Sequence, residues 1–194
     1  PWNLSGKRLK KMNLLENHTP IDCHAPDFEL PGIDDLVHHL SRYREDFRAI
    51  AAVFMCNHCP YVRGYVDRLK QIQAEFQGQG FVLIGINSND TQTYPEDSFE
   101  KMKVFAEQHQ LNFPYLWDST QDVAYSFGAQ RTPEAFLIDQ SGILRYSGAI
   151  DDNPQNPEAV QVQYLRQAIA QMLRGEQVSI PTTSAIGCSV KWRN

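Results

Sequence analysis

The sequence predicts a single α/β domain built on a mixed sheet, and three observations carry that prediction. Two short, wholly apolar runs, 49–55 and 81–86, read as strands buried on both faces. Each is followed by a segment with apolar residues three and four apart, the mark of an amphipathic helix. Later, residues 135–139, the turn Gln140-Ser141-Gly142 and residues 143–149 read as an antiparallel hairpin.

Residues 14–32 are rich in Pro and Asp and form an irregular opening segment, with Ala25 held extended by Pro26. Residues 33–47 are mixed, a short strand or a turn of helix. The run 48–55 (Arg-Ala-Ile-Ala-Ala-Val-Phe-Met) is the first buried strand. Val62, Val66, Leu69, Ile72 and Phe76 place a helix over 59–76, ended by Gly78 and Gly80. After the second strand, Phe99, Met102, Phe105 and Ala106 share one face of a helix over 98–110. Residues 114–117 are a short strand, where Phe113, Tyr115 and Trp117 alternate as sheet core, and 123–127 a helical turn closed by Gly128. A last helix over 160–173 stops at Gly175, and 176–194 follow as a tail. A helical crossover joins the two early strands, which are therefore expected to run parallel.

Charge narrows the function classes. Four of the 18 basic residues, Lys7, Arg8, Lys10 and Lys11, lie in the first eleven positions, where there is no acid. Residues 12–194 carry 14 basic against 23 acidic groups, a net of −9. Such an acidic body repels phosphate backbones, so nucleic acid is not an expected partner. The apolar runs are far shorter than the roughly 20 residues that span a bilayer, so no membrane partner is expected either. Residues 1–11, followed by Met12, read as a leader or appended remnant outside the fold; lacking an apolar stretch, they do not resemble a secretory signal. The cytoplasm is the expected location. Four cysteines do not make a disulfide scaffold. Cys56 and Cys59 are spaced as a pair, while Cys23 and Cys188 stand alone.

The strongest chemical signal is Phe54-Met55-Cys56-Asn57-His58-Cys59-Pro60, where a buried strand gives way to an amphipathic helix. One helical turn brings two such sulfurs close enough to bond. The free N–H groups and dipole of the helix start stabilise an anion, so Cys56 is expected to be the ionised, attacking sulfur. A partly protonated His58 would lower its pKa further, and Asn57 can donate a hydrogen bond. A stabilised thiolate is a good leaving group, which predicts a couple more oxidising than about −270 mV. Half of a zinc site is the competing reading, because such pairs are common zinc knuckles, but a second pair is missing. A chance pair of core cysteines is the other. No metal and no cofactor are expected. Arg131-Thr132-Pro133 precedes a strand, where a proline marks an edge or a kink; on sequence statistics alone its bond is trans.

These residues together resemble a known family. A strand, Cys-x-x-Cys and a helix, then a strand, a helix and Thr-Pro before a hairpin, resemble the thioredoxin fold. Ala25-Pro26-Asp27-Phe28-Glu29-Leu30 resembles the opening motif of the alkyl hydroperoxide reductase/thiol-specific antioxidant group. Gly85-Ile86-Asn87-Ser88-Asn89-Asp90, Phe136-Leu137-Ile138-Asp139 and Gly187-Cys188-Ser189-Val190-Lys191-Trp192 resemble a peroxiredoxin-like branch of it. The resemblance covers roughly residues 21–192. It implies a mixed central sheet flanked by helices with an N-terminal extension: 1–20 a tail or leader, 21–180 the domain, 181–194 a C-terminal tail. It implies Cys56 as nucleophile and Cys59 as resolving thiol, and a cis Thr132–Pro133 bond that faces the cysteines and guides an extended substrate strand.

Two departures stand out. Thioredoxins carry a buried Asp six residues before the first cysteine, where this chain has Ile50, so water, His58 or another segment must handle the proton. Peroxiredoxins carry a hydroxyl three residues before the peroxidatic cysteine, where this chain has Val53, which counts against efficient peroxidase chemistry. Arg131 reads as an ordinary exposed arginine before an activating one. Cys188 reads as a packed, inert thiol before a third exchanging one, and Cys23, beside His24, as incidental. His38-His39 is a weak metal motif, and Asn89 and Asp90 read as loop caps. The expected function is a thiol–disulfide oxidoreductase whose partners are a protein or small-molecule disulfide and an unidentified thiol electron donor. The alternatives are a thiol peroxidase with Cys56 peroxidatic, and a redox-silent or zinc-dependent binding module.

Overall fold

The computed structural model describes residues 18–194. The reading of residues 1–11 therefore lies outside the described residues. In order, the elements are β1 (Glu29–Pro31), β2 (Val37–His39), α1 (Leu40–Asp46), β3 (Ala49–Phe54), α2 (Pro60–Phe76), β4 (Phe81–Asn87), α3 (Phe99–His109), β5 (Tyr115–Trp117), α4 (Asp122–Phe127), β6 (Arg131–Thr132), β7 (Glu134–Asp139), β8 (Leu144–Gly148), α5 (Tyr164–Leu173) and β9 (Cys188–Ser189).

The central sheet has the order β5-β4-β3-β7-β8. β3 runs parallel to β4 and antiparallel to β7, and β7 pairs antiparallel with β8. The mixed sheet, the parallel early strands and the late hairpin are thus as the sequence predicts. β3 is covered on both faces, which explains its unbroken apolar run. Ala49, Ala51, Val53 and Met55 join one cluster with Val62, Leu69, Met102, Phe105, Leu165 and Ile169 from α2, α3 and α5. Ile50, Ala52 and Phe54 join a second with Leu40, Ala124 and Phe127 from α1 and α4. The Phe54 ring meets Phe127 and Phe136 edge-on, each at 5.6 Å between centroids.

Local chemistry sets the ends. Ser98 caps α3, its hydroxyl accepting from the Lys101 N–H at 3.3 Å. Gly80, φ 83°, turns the chain from α2 into β4, and Gly128, φ 77°, ends α4. The mixed stretch 33–47 holds both a strand and a helix. The last helix starts four residues later than its periodicity predicts. The Gln161 N–H donates to Asp152 Oδ1 at 2.9 Å and Val162 O accepts from the Asp152 N–H at 3.2 Å, so this stretch stays extended. Two short strands, β1 and β9, arise in segments read as irregular or as tail, and β6 lies in the stretch read as leading into the hairpin. The C-terminal segment folds back on the domain: β9 pairs antiparallel with β6, and Val190 is buried.

Candidate active site

Cys56 and Cys59 lie where β3 hands over to α2. The Met55 N–H still donates to Ile86 O at 2.9 Å, which carries the parallel ladder one residue past β3. The chain then turns through Cys56-Asn57-His58. Cys59 is the N-cap of α2 and Pro60 its first residue, a position where the missing N–H costs nothing. Both cysteines are buried, and both are thiols.

Asp97 organises the turn. Its carboxylate has no exposed side-chain surface and comes from the short 3₁₀ turn before α3. Oδ1 accepts from the backbone N–H of Asn57 at 2.8 Å and of His58 at 3.2 Å. Oδ2 pairs with His58 Nδ1 and accepts from Asn89 Nδ2 at 2.9 Å. Asn87 Nδ2 holds the Asp97 carbonyl at 2.8 Å. The His58 ring stacks on Tyr94, 5.5 Å between centroids and 5° from parallel. Cys56 Sγ, a His58 ring nitrogen and an Asp97 oxygen all lie within 4.8 Å of one another.

Asn57 does not donate to a sulfur. Its amide donates to Glu96 O at 3.0 Å and accepts from the buried Tyr115 hydroxyl at 2.8 Å, so it braces the turn. The Thr132–Pro133 bond is cis. It sets Thr132 against the pair, with its hydroxyl 3.9 Å from Cys56 Sγ and its carbonyl 3.5 Å from Cys59 Sγ. The six residues singled out for the site from sequence, Cys56, Asn57, His58, Cys59, Thr132 and Pro133, thus lie at one spot.

Cys56 is pushed up, first by the hydrogen bond its thiol gives to Cys59, then by burial and by the negative charge of Asp97. Cys59 is drawn down, first by that same bond from Cys56; burial opposes this, while the Cys188 thiol, the Val62 N–H and the Thr132 side chain support it. The two sulfurs thus share a single proton, and the negative charge of Asp97 opposes a second charge on Cys56. The first turn of α2 reaches Cys59, the residue that enters the helix, and Asp97 stands beside Cys56. When Cys59 is protonated, its S–H can instead donate to the Thr132 carbonyl.

Cys56, His58 and Asp97 form the one cluster among the described residues with metal-ligand spacing. Both Asp97 oxygens are already taken by four donors, and Cys59 is not part of the set, so the cluster suits proton transfer better than a cation. His38 bonds to Asp34 and Tyr43, and His39 to Glu29, away from any such cluster. Cys23 and Arg131 are exposed. Asn89 and Asp90 do brace loops, and Asn89 also reaches the site through Asp97. Asp97 itself was not legible: it is one acid among 23, and no spacing links it to the cysteines. The single hint is Ile50, which stands where thioredoxins carry an Asp and so leaves the proton to water, His58 or another segment.

Residues 21–147 match the AhpC/TSA family. A curated relative, the thiol:disulfide interchange protein DsbE of Escherichia coli K12, is 32% identical over 100 residues, 50% of this chain and 47% of that protein. The chain thus spans about half the length of the curated relatives it matches first. Among solved structures, a hypothetical protein of Sinorhizobium meliloti 1021 is 34% identical with a TM-score of 0.85, over 91% of this chain and 97% of that one. Peroxidoxin BcpB of Mycobacterium tuberculosis, 21% identical with a TM-score of 0.62 over 81% and 98%, shares the thioredoxin-like fold.

Proposed function

We propose, from the premise that this chain belongs to the AhpC/TSA family, that it is a thiol–disulfide oxidoreductase working through a reversible Cys56–Cys59 dithiol/disulfide. The observation that carries the proposal is a pair of buried thiols at the start of a helix, both set against Thr132, with a His–Asp couple beside one of them. The kinship with a thiol:disulfide interchange protein supports it.

The geometry divides the labour. Cys56 attacks the substrate disulfide, and its proton passes to the His58–Asp97 couple and on to the departing sulfur. A mixed disulfide now joins Cys56 to the other half of the substrate. Cys59, already favoured as a thiolate, attacks the Cys56 sulfur, closes the intramolecular bond and releases that half as a thiolate. Two electrons pass from the pair to the substrate. A thiol donor restores the dithiol by the reverse sequence. The substrate class is a disulfide of a protein or small molecule.

The test is reduction of insulin disulfides. Cys56→Ser is expected to abolish it, and Cys59→Ser to accumulate mixed disulfides with substrate that a reductant releases. Full activity in Cys56→Ser would refute the mechanism.

A peroxidase reading has one observation in its favour: the Thr132 hydroxyl near Cys56 supplies the group that Val53 lacks. Rapid peroxide consumption by the reduced protein, sustained by a thiol reductant, would favour it over the first reading.

A further inference from the structure

We infer that Cys188 is a third redox thiol of this site, exchanging with the Cys56–Cys59 disulfide to give a Cys59–Cys188 disulfide and a free Cys56. The inference rests on the oxidoreductase reading above and extends it.

The C-terminal segment is built to hold this thiol in place. β9 lies antiparallel to β6, with Cys188 directly opposite Thr132. Thr132 is the residue whose carbonyl and hydroxyl touch Cys59 and Cys56. Cys188 packs on the same apolar cluster as both cysteines. The preceding residue must be glycine, because a Cβ there would sit 2.0 Å from the Thr132 carbonyl oxygen. Beyond Cys188 the chain is pinned at Val190, Lys191 and Arg193. The Val190 N–H donates to Gln130 O at 2.9 Å, and the Lys191 N–H to Asn89 Oδ1 at 2.9 Å. The Lys191 carbonyl accepts from the Asp90 N–H and from Gln121 Nε2, both at 2.8 Å. The Arg193 N–H donates to Gln121 Oε1 at 2.9 Å. Asn89 is also the residue that holds Asp97, so the segment is tied to the couple beside Cys56. A cysteine needed for packing alone requires no strand register beside two other thiols.

The exchange needs no outside oxidant. The Cys188 sulfur attacks the Cys59 sulfur, and the Cys56–Cys59 bond breaks as the Cys59–Cys188 bond forms. Cys56 leaves with the electron pair and takes up the proton that Cys188 gives away. Three thiol sulfurs then share one disulfide, before and after. Burial, the bond to Cys59 and the charge of that neighbour hold Cys188 up at about 11 in the reduced protein. Forming the first disulfide removes that charge, so Cys188 becomes easier to ionise once there is a disulfide to attack. The product is an oxidised protein whose nucleophile is free again.

The test uses the full chain carrying Cys23→Ser, so that the exposed thiol takes no part. The reduced protein is oxidised with one equivalent of diamide, alkylated and digested with trypsin. Peptide 49–63 holds Cys56 and Cys59, and peptide 175–191 holds Cys188. The expected result is a disulfide joining the two peptides, alongside the bond internal to 49–63. Adding Cys56→Ser should make the joined species dominant and lower Cys188 alkylation about tenfold; Cys59→Ser should remove it. An internal Cys56–Cys59 bond with Cys188 fully alkylated in the parent, together with full alkylation of Cys188 in the Cys56→Ser chain, would overturn the inference while leaving the oxidoreductase reading intact. Absence of the internal bond together with absence of the joined peptides would overturn both.

Discussion

Asp97→Asn is expected to slow disulfide reduction by about 10²-fold and to cost about 2–3 kcal/mol of stability. Both effects follow from one buried carboxylate that accepts from two backbone N–H groups, a His ring and an Asn amide. An amide in its place keeps one acceptor oxygen but turns an NH₂ toward donors, so at least one buried group loses its partner. The rate falls because the couple that takes the Cys56 proton has lost its anion. A second readout separates this from mere loosening. Asp97's charge is one cause of the raised Cys56 value, so its removal should move the pH profile of Cys56 alkylation to lower pH. An unchanged rate with an unmoved profile would show that Asp97 has no part in the chemistry.

Arg68→Ala is expected to be the most destabilising single change away from the cysteines. The Arg68 guanidinium lies in α2, 4.0 Å from the centre of the Tyr65 ring, and donates to Asp151 Oδ2 at 2.8 Å, Asn153 O at 2.7 Å and Pro154 O at 3.0 Å. The Tyr65 hydroxyl donates to the other Asp151 oxygen at 2.7 Å. Asp151 is only 5% exposed. Removing the arginine strands a buried carboxylate, which costs about 3–5 kcal/mol and, at roughly 2–4 °C per kcal/mol for a chain of this size, lowers Tm by about 10 °C. Thermal unfolding followed by circular dichroism measures this. A Tm within about 2 °C of the parent would show that water compensates Asp151 and that the pair contributes little.

The sheet and the cysteine pair were legible because their signals are local. β3 and β4 are apolar without interruption because helices cover both faces, and α2 carries its buried side in its own period. The cysteines announce themselves by spacing at the strand–helix junction. What stayed hidden depends on distant contacts. β6 and β9 are two residues each and exist only because Gly187 lets the chain approach Thr132. α5 begins late because Asp152 holds residues 161 and 162 extended. Helix-start reasoning does not reveal that Cys59 is the cap, and the charge beside Cys56 belongs to a residue from another loop.

The central claim is that the reduced pair holds one proton between its two sulfurs. A Cys59 value lowered from 9.0 to about 4 stabilises the reduced, folded protein above the unfolded value, and that contribution fades as pH falls through the folded one. Cys56, shifted the other way, keeps its proton across neutral pH. Forming the disulfide therefore releases two electrons and a single proton. Measured by equilibration with glutathione, the potential should fall by about 30 mV per pH unit between about pH 5 and 8, lying above about −270 mV at neutrality. A slope of about 59 mV per unit across that range would mean that both thiols stay protonated, and would contradict the account.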